Sequence, residues 1–486
     1  MHRREGQRGK EKSRERRVKR VPASHLERLK GVEVEKAEDS AHHVDLVHKV
    51  HKEHLRGRGW FLKTIKPTKE EPEHFQIEAA LGDYYRLMVG VREPKNRPVA
   101  QRYDDSKTLE LISKGVEGFK PLAKRPLNFK NPQQLKDLAE ILVACYFLEE
   151  IDLHEDNIGF DKHNRVVKID HGMSLWPIMQ RYAVRGGKDV EHDIVPDELR
   201  RFPSTDEESQ AAWGITADKA DVLMCHPVFV AAKFKAMLKI ALLPDEAIAD
   251  IADAYVSDSH LVDEIAGHLI ERRNQLIKSL YQVPEFIDYL IKNPRAVEDI
   301  LADIDVYNGT FKEKDAHRRV SIDAMRRQYN SLFPEQGLKF LQVKHKMLTA
   351  IEERLTGLKG DAKLLAGIKK DFYTELKTDI GNVTSMQGLR KKFNDWLESR
   401  YEAQGPGDAH LGGKTYREIL SHRRVFLNPI PPKSTGFISD MQALLVPEKK
   451  DKKQEKEPIS YYYDESDEDR GYSDVNEKGS HRKREY

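Results

Sequence analysis

Two short stretches of this chain hold side chains whose types and spacing suit phosphoryl transfer. The first is Asp152-Leu153-His154-Glu155-Asp156-Asn157. An aspartate and an asparagine at D-x-x-x-x-N spacing on one polar loop can serve an incoming hydroxyl and a metal-bound phosphate from a single segment. The second is Val167-Lys168-Ile169-Asp170-His171-Gly172, where a carboxylate ends an apolar strand beside a flexible glycine, well placed to reach a metal. The same chemistry needs a lysine on the phosphates and an acid to hold that lysine. Lys63 and Lys66, followed by Glu78, are the candidates.

Elements to position these groups can be read around them. Trp60 to Lys66 is a β-branched and apolar run between Gly59 and Pro67, which predicts a strand. Alternation along that strand sends Lys63 and Lys66 to opposite faces, and Lys66 is the preferred phosphate lysine. Ile77, Leu81, Tyr84, Tyr85 and Met88 recur at helical spacing, so Glu78 is expected on a helix. Two further strands are expected over 99–103 and 108–112. Pro132 to Glu150 predicts a long amphipathic helix through Leu135, Leu138, Ile141, Leu142, Cys145 and Leu148. A polar loop over 151–157 leads to a hairpin with strands at 158–160 and 166–169. Past residue 210 strand signals nearly vanish, and helices are expected over 228–243, 245–256, 259–281, 285–293, 296–303, 316–333, 335–357, 361–378 and 386–402. The His-rich stretch 41–54 reads as a half-exposed amphipathic helix with His48, His51 and His54 along one side.

Composition narrows the classes. Lys and Arg number 83 against 81 Asp and Glu, a balance that argues against a nucleic-acid partner. Local charge is uneven: residues 1–30 carry twelve Lys/Arg against four Glu, and the C-terminal part holds Asp464-Glu465-Ser466-Asp467-Glu468-Asp469. Such blocks predict solvated arms. With only Cys145 and Cys225, both in apolar sequence, two buried and inert thiols are expected, in a reducing intracellular setting. No apolar run is long enough to span a bilayer, and the basic N-terminus is not followed by the apolar stretch of a secretory signal.

The chemistry-bearing segments resemble a known superfamily. Asp152 to Ile158 is similar to the D-R-H-N-D-N-I loop of the phosphatidylinositol 3- and 4-kinases, and Ile169-Asp170-His171-Gly172-Met173-Ser174-Leu175-Trp176-Pro177 resembles the I-D-N-G-L-A-F-P segment of type II phosphatidylinositol 4-kinases. Ile65-Lys66-Pro67-Thr68-Lys69-Glu70-Glu71-Pro72 is similar to their F-K-P-x-x-E-E-P motif. Leu111 to Phe119, with Ser113 and Lys114, resembles the hinge strand of kinase-like effectors of intracellular bacterial pathogens. The resemblance covers residues 57–245. It implies an α+β, two-lobed fold like that of protein and phosphoinositide kinases, with a mostly helical C-terminal extension. The expected parts are a basic arm (1–40), an N-terminal lobe (41–120), a C-terminal lobe core (121–250), a helical region (251–445) and a charged tail (446–486).

Carried over by position, the resemblance makes Lys66 the ATP lysine and Glu78 its ion-pair partner. Ser113 and Lys114 adjoin the nucleotide. Asp152 orients or deprotonates the acceptor hydroxyl with help from His154, and Asn157 and Asp170 hold Mg²⁺ or Mn²⁺. No glycine-rich G-x-G-x-x-G precedes the lysine, so the phosphate cover departs from the usual pattern. The effector likeness points to a protein hydroxyl as acceptor, with a phosphoinositide as the second reading and a non-catalytic phosphoinositide-binding scaffold as the third. Arg181, Arg185 and Lys188 form a basic loop suited to either acceptor. Lys124, Arg125 and Lys130, and Arg318, Arg319, Arg326 and Arg327 on one expected helix, are candidates for a polyanion such as an inositol polyphosphate, which would activate the enzyme, or for an anionic membrane surface. The implied setting is intracellular, soluble or peripheral to membranes, after secretion into a host cell by a bacterial pathogen.

Overall fold

Asn131 opens the helix around which the rest is arranged. Its side-chain oxygen accepts hydrogen bonds from the backbone N–H groups of Gln133 (3.0 Å) and Gln134 (3.3 Å), and Pro132 takes the first helical position, where no N–H is needed. In the computed structural model, which describes residues 43–47, 60–65, 72–98, 109–182, 194–203, 217–357, 364–402 and 437–446, this helix is α2 (Pro132–Phe147), preceded by α1 (Pro72–Met88). From Ile141 to Glu150 every residue is buried, as expected of a helix packed on all sides.

The fold is α+β, with two small antiparallel sheets and many helices among the described residues. The first sheet has the order β1 (His43–Val47), β2 (Trp60–Ile65), β4 (Leu109–Lys114), β3 (Asn96–Pro98). β2 pairs with β4 so that Lys63 faces Leu111 and Phe61 faces Ser113. The helix expected over 41–54 is overturned for its described part: residues 43–47 are a strand, with Val44 opposite Lys63 and Leu46 opposite Phe61. The sequence there alternates apolar and polar with period two, and pairing to β2 satisfies its backbone. The strand expected over 99–103 lies outside the described residues. The second sheet is β5 (Lys120–Pro121), β6 (Ile158–Phe160) and β7 (Val166–Lys168). Asp137 of α2 anchors it, accepting two hydrogen bonds from the Arg165 guanidinium (2.8 and 2.7 Å) and one from Val166 N–H (3.0 Å).

Helices follow: α3 (Trp176–Met179), α4 (Pro196–Arg201), α5 (Ala217–Cys225), α6 (Pro227–Ala241), α7 (Asp245–Tyr255), α8 (Ser259–Leu280), α9 (Pro284–Lys292), α10 (Ala296–Asn308), α11 (Ile322–Leu332), α12 (Glu335–Gly357), α13 (Leu364–Gly381), α14 (Met386–Glu402) and α15 (Phe437–Leu445). One hydrophobic core runs from Phe75 to Leu338, and a second is built from Met347 to Leu445. The boundary expected at 250–251 therefore falls inside α7 and inside the first core. The two cores meet along α12, which gives Leu338 to one and Met347 and Ile351 to the other. No helix among the described residues is long and apolar enough to cross a membrane. Cys145 is buried, and burial pushes its thiol up to about 12, but Cys225 is exposed at the end of α5, contrary to expectation.

The expected arginine-rich helix over 316–333 is also corrected. Glu313–Arg318 is a 3₁₀ segment, Arg319 is extended, and α11 begins only after Ser321, whose hydroxyl caps Ala324 N–H. Arg318 is buried, 2.9 Å from Asp83 of α1, with its guanidinium over the rings of Tyr255 and Phe311. Arg319 pairs with Glu313 (3.5 Å) and Arg326 with Glu298 (2.7 Å), while Arg327 is exposed. The four do not form one polyanion-binding face. Arg318 instead ties α1 to the helical region. Replacing Arg318 with Ala leaves Asp83 with Tyr255 Oη (2.6 Å) and the more distant Arg86 (3.8 Å). The expected loss is about 3 kcal/mol, read as a lower midpoint in urea unfolding.

Candidate active site

Backbone geometry brings the two sequence stretches together. Ile169 N–H donates to Asn157 C=O (2.8 Å), which closes the loop carrying Asp152 onto the strand carrying Asp170. Within that loop Asn157 Nδ2 donates to the Asp152 carbonyl (3.1 Å) and carboxylate (3.3 Å). The asparagine amide nitrogen is thus spent internally, and its Oδ1 is the atom suited to a metal. His154 is exposed, with Nε2 3.8 Å from Asp152 Oδ1 and Nδ1 accepting from Asp156 N–H (3.2 Å).

Asp170 sits in the left-handed region at φ 53°. A non-glycine residue held there costs about 1–3 kcal/mol, and such strain gathers at functional sites. Two residues on, a Cβ at Gly172 would lie 3.1 Å from Glu78 Oε2, so a larger residue there would press the Glu78 carboxylate aside by a few tenths of an ångström.

The lysine of the site is Lys63. Its Nζ lies 3.1 Å from Glu78 Oε1 and 3.2 Å from Asp170 Oδ1. The face of β2 that carries Phe61 and Lys63 is the one turned toward α1 and Asp170. Lys66 itself lies outside the described residues. Burial disfavours the Lys63 charge, but Asp170 and then Glu78 outweigh it and raise the ammonium above its ordinary range. Reciprocally, Lys63 holds Asp170 below the usual carboxylate range against the opposing effect of burial. Lys63, Glu78 and Asp170 line a cleft of about 200 Å³, together with Phe61, Leu111, Ser113, Lys114 and Val116. The two residues expected beside the nucleotide therefore do face the same space as the lysine.

Two groups beneath the site carry no signal in the sequence motifs. Lys168 and Glu150 are both fully buried and pair at 2.9 Å. Lys168 Nζ also donates to the carbonyls of Ile169 (3.2 Å) and Asp170. Glu150 accepts from Asp152 N–H (2.9 Å) and from the Ser174 hydroxyl (2.6 Å). Their pairing could have been noticed only as a charge inside each of two otherwise apolar segments. His171 is equally buried. It stacks on Tyr85 (centroids 4.4 Å apart) and lies 3.3 Å from Asn96 Nδ2, which makes it packing beneath the site.

The remaining basic candidates are dispersed. Arg181 pairs with Glu264 of α8 at 2.8 Å, while Arg185 and Lys188 lie outside the described residues. Lys124, Arg125 and Lys130 are exposed on the loop before α2.

Asp170 and the Asn157 amide oxygen fit a hard divalent cation such as Mg²⁺ or Mn²⁺. Among the described residues no three His, Cys, Asp or Glu side chains cluster as a metal cage. Mg²⁺ that is shared with phosphates needs none, because one or two carboxylates suffice beside the substrate oxygens.

A family described as the LepB N-terminal domain matches residues 103–183, the stretch that holds β4, α2, the Asp152–Asn157 loop and Asp170. The likeness covers well under half of the chain and leaves out Lys63 and Glu78. No curated protein matches the chain.

Burial first, and then the Glu150 carboxylate, push Asp152 above the ordinary aspartate value. In Glu150→Gln the like charge disappears while the Lys168 ammonium stays nearby. The Asp152 pKa should fall, and its ionised form should persist to lower pH. Selective ¹³C-carboxyl NMR titration checks this; an unchanged or raised Asp152 pKa would show that Glu150 does not act on it.

Proposed function

We propose that this chain is an ATP-dependent phosphotransferase of atypical kinase type, passing the γ-phosphoryl group to a hydroxyl of a protein. The carrying observation is Lys63 Nζ bridging Glu78 and Asp170 at the rim of a cleft. In this reading the β1–β4 sheet with α1 is one lobe, and α2 with the β5–β7 sheet and the following helices is the other.

Lys63, fixed by Glu78, binds the phosphates of ATP and offsets charge as it gathers on the transferring group. Asp170 and Asn157 would hold a Mg²⁺, which when bound would neutralise phosphate charge. Asp152 receives the hydroxyl proton. The acceptor oxygen bonds to the γ-phosphorus as the bond from that phosphorus to the β–γ bridging oxygen breaks, and ADP leaves. A carboxylate with a raised pKa suits proton acceptance, since basicity matched to the working pH favours the transfer. Exposed Lys124, Arg125 and Lys130 favour one second reading, a phosphoinositide head group as acceptor.

Incubation with labelled ATP and Mg²⁺ or Mn²⁺, with generic proteins in one arm and phosphoinositide vesicles in the other, tests both. Label in protein supports the first reading and label in lipid the second; label in neither, with no ADP formed, sinks the assignment. Lys63→Ala and Asp170→Ala should each lower kcat on the order of 10²–10³-fold, with the folded structure retained by circular dichroism. Activity close to native in either variant would remove that residue from the mechanism.

A further inference from the structure

A second cavity, of about 410 Å³, shares no lining residue with the Lys63 cleft. Its walls are apolar, chiefly Leu127 and Phe129 from the loop before α2, Leu138 from α2 and Leu223 from α5. The Asp152–Asn157 loop itself lines a further side, through His154 and Glu155. His154 therefore borders both places: it lines this cavity, and its Nε2 is 3.8 Å from Asp152 Oδ1. At the mouth Lys219 Nζ and Glu155 Oε1 pair at 3.2 Å, each about half exposed.

We propose that this cavity is the acceptor pocket of the phosphotransferase. Its ligand is a protein segment that seats a large aliphatic or aromatic side chain there, beside the hydroxyl to be phosphorylated. The inference rests on the phosphotransferase reading and adds the class of acceptor and its selectivity.

Three observations favour a polypeptide. The volume lies near the lower end for ligand pockets, which suits a side chain better than paired acyl chains. The Lys219–Glu155 pair offers a donor and an acceptor side by side, matching the C=O and N–H groups of an extended backbone. A surface that seats on a bilayer gathers apolar side chains around its mouth. Among the described residues, the exposed large apolar side chains are Phe61, Val91, Val195, Val222, Val306 and Val446, and of these only Val222 belongs to an element that lines the cavity. Lys124 and Arg125 stand exposed on the loop that forms one wall and select acidic residues flanking the apolar one.

The test uses the full chain, Mg²⁺, labelled ATP and an arrayed peptide library with a fixed Ser, Thr or Tyr and varied neighbours. Native protein should select Leu, Ile, Met, Phe or Trp at one fixed offset from the hydroxyl. Ala123→Trp, at an exposed position lining the cavity, should fill it. The expected result is a rise in peptide KM of about tenfold or more, with ATP KM and acceptor-free ATP hydrolysis within about twofold of native. Leu127→Glu, a second variant that places a charge on the wall, should do the same. ATP turnover without apolar selection, or an unchanged peptide KM in both variants, overturns the pocket while leaving the phosphotransferase standing. Label confined to phosphoinositide vesicles overturns the polypeptide and assigns the cavity to lipid. No ATP turnover at all overturns both.

Discussion

Taking a lysine and a glutamate out of water costs several kcal/mol for each ion, and their mutual attraction repays it only when the remaining donors and acceptors are also satisfied. Lys168 and Glu150 meet that condition with backbone groups of the site. The ammonium holds the carbonyls of Ile169 and Asp170, and the carboxylate holds the N–H of Asp152. The pair thereby fixes the separation between the residue that would take a proton and the residue that would hold a metal. Asp170 can persist in a left-handed conformation because its carbonyl is gripped from below and its carboxylate from above by Lys63.

Glu150 in turn depends on how α2 ends. Glu149 turns the chain at φ 50° and gives its carboxylate to Arg272 (2.9 Å) and His268 (2.6 Å) of α8. Arg272 also donates to the carbonyls of Tyr146 (2.9 Å) and Phe147 (3.0 Å), the groups a helix end leaves without intrahelical partners. A cation at that position is favoured further by the helix dipole. The helical region after residue 250 is therefore a structural support of the loop that carries Asp152, and Arg181 adds a second tie to α8 through Glu264.

Much of this was legible in the sequence, for identifiable reasons. Helices with periodic apolar faces, such as Pro132–Phe147 and Ser259–Leu280, are legible to within a few residues, because their apolar period and the capping residues Asn131 and Asp258 mark them. The spacing of Asp152, Asn157 and Asp170 is visible because all three lie within nineteen residues, on two short stretches joined by one hairpin. The failures share a cause. Which face of β2 looks into the cleft depends on its pairing with β4 and on α1, so Lys63 could not be separated from Lys66 by alternation alone. The strand at 43–47 draws its partner from residues 60–65, and local periodicity carries no such information. Arg318 reads as a surface charge from its neighbours in sequence, because its partner Asp83 lies 235 residues earlier in the chain.

The grip of Arg272 has a consequence for the order in which the protein is made. Its partners lie 123 to 126 positions earlier in the chain. At a synthesis rate of about 5–20 residues per second, α8 appears on the order of 10 s after α2. Throughout that interval the carboxylate of Glu149 and the last carbonyls of α2 lack their guanidinium. Even a nascent chain that already holds Lys63, Glu78, Asp152 and Asp170 has a loop without its anchor, so the site matures only when the ribosome has moved well past it.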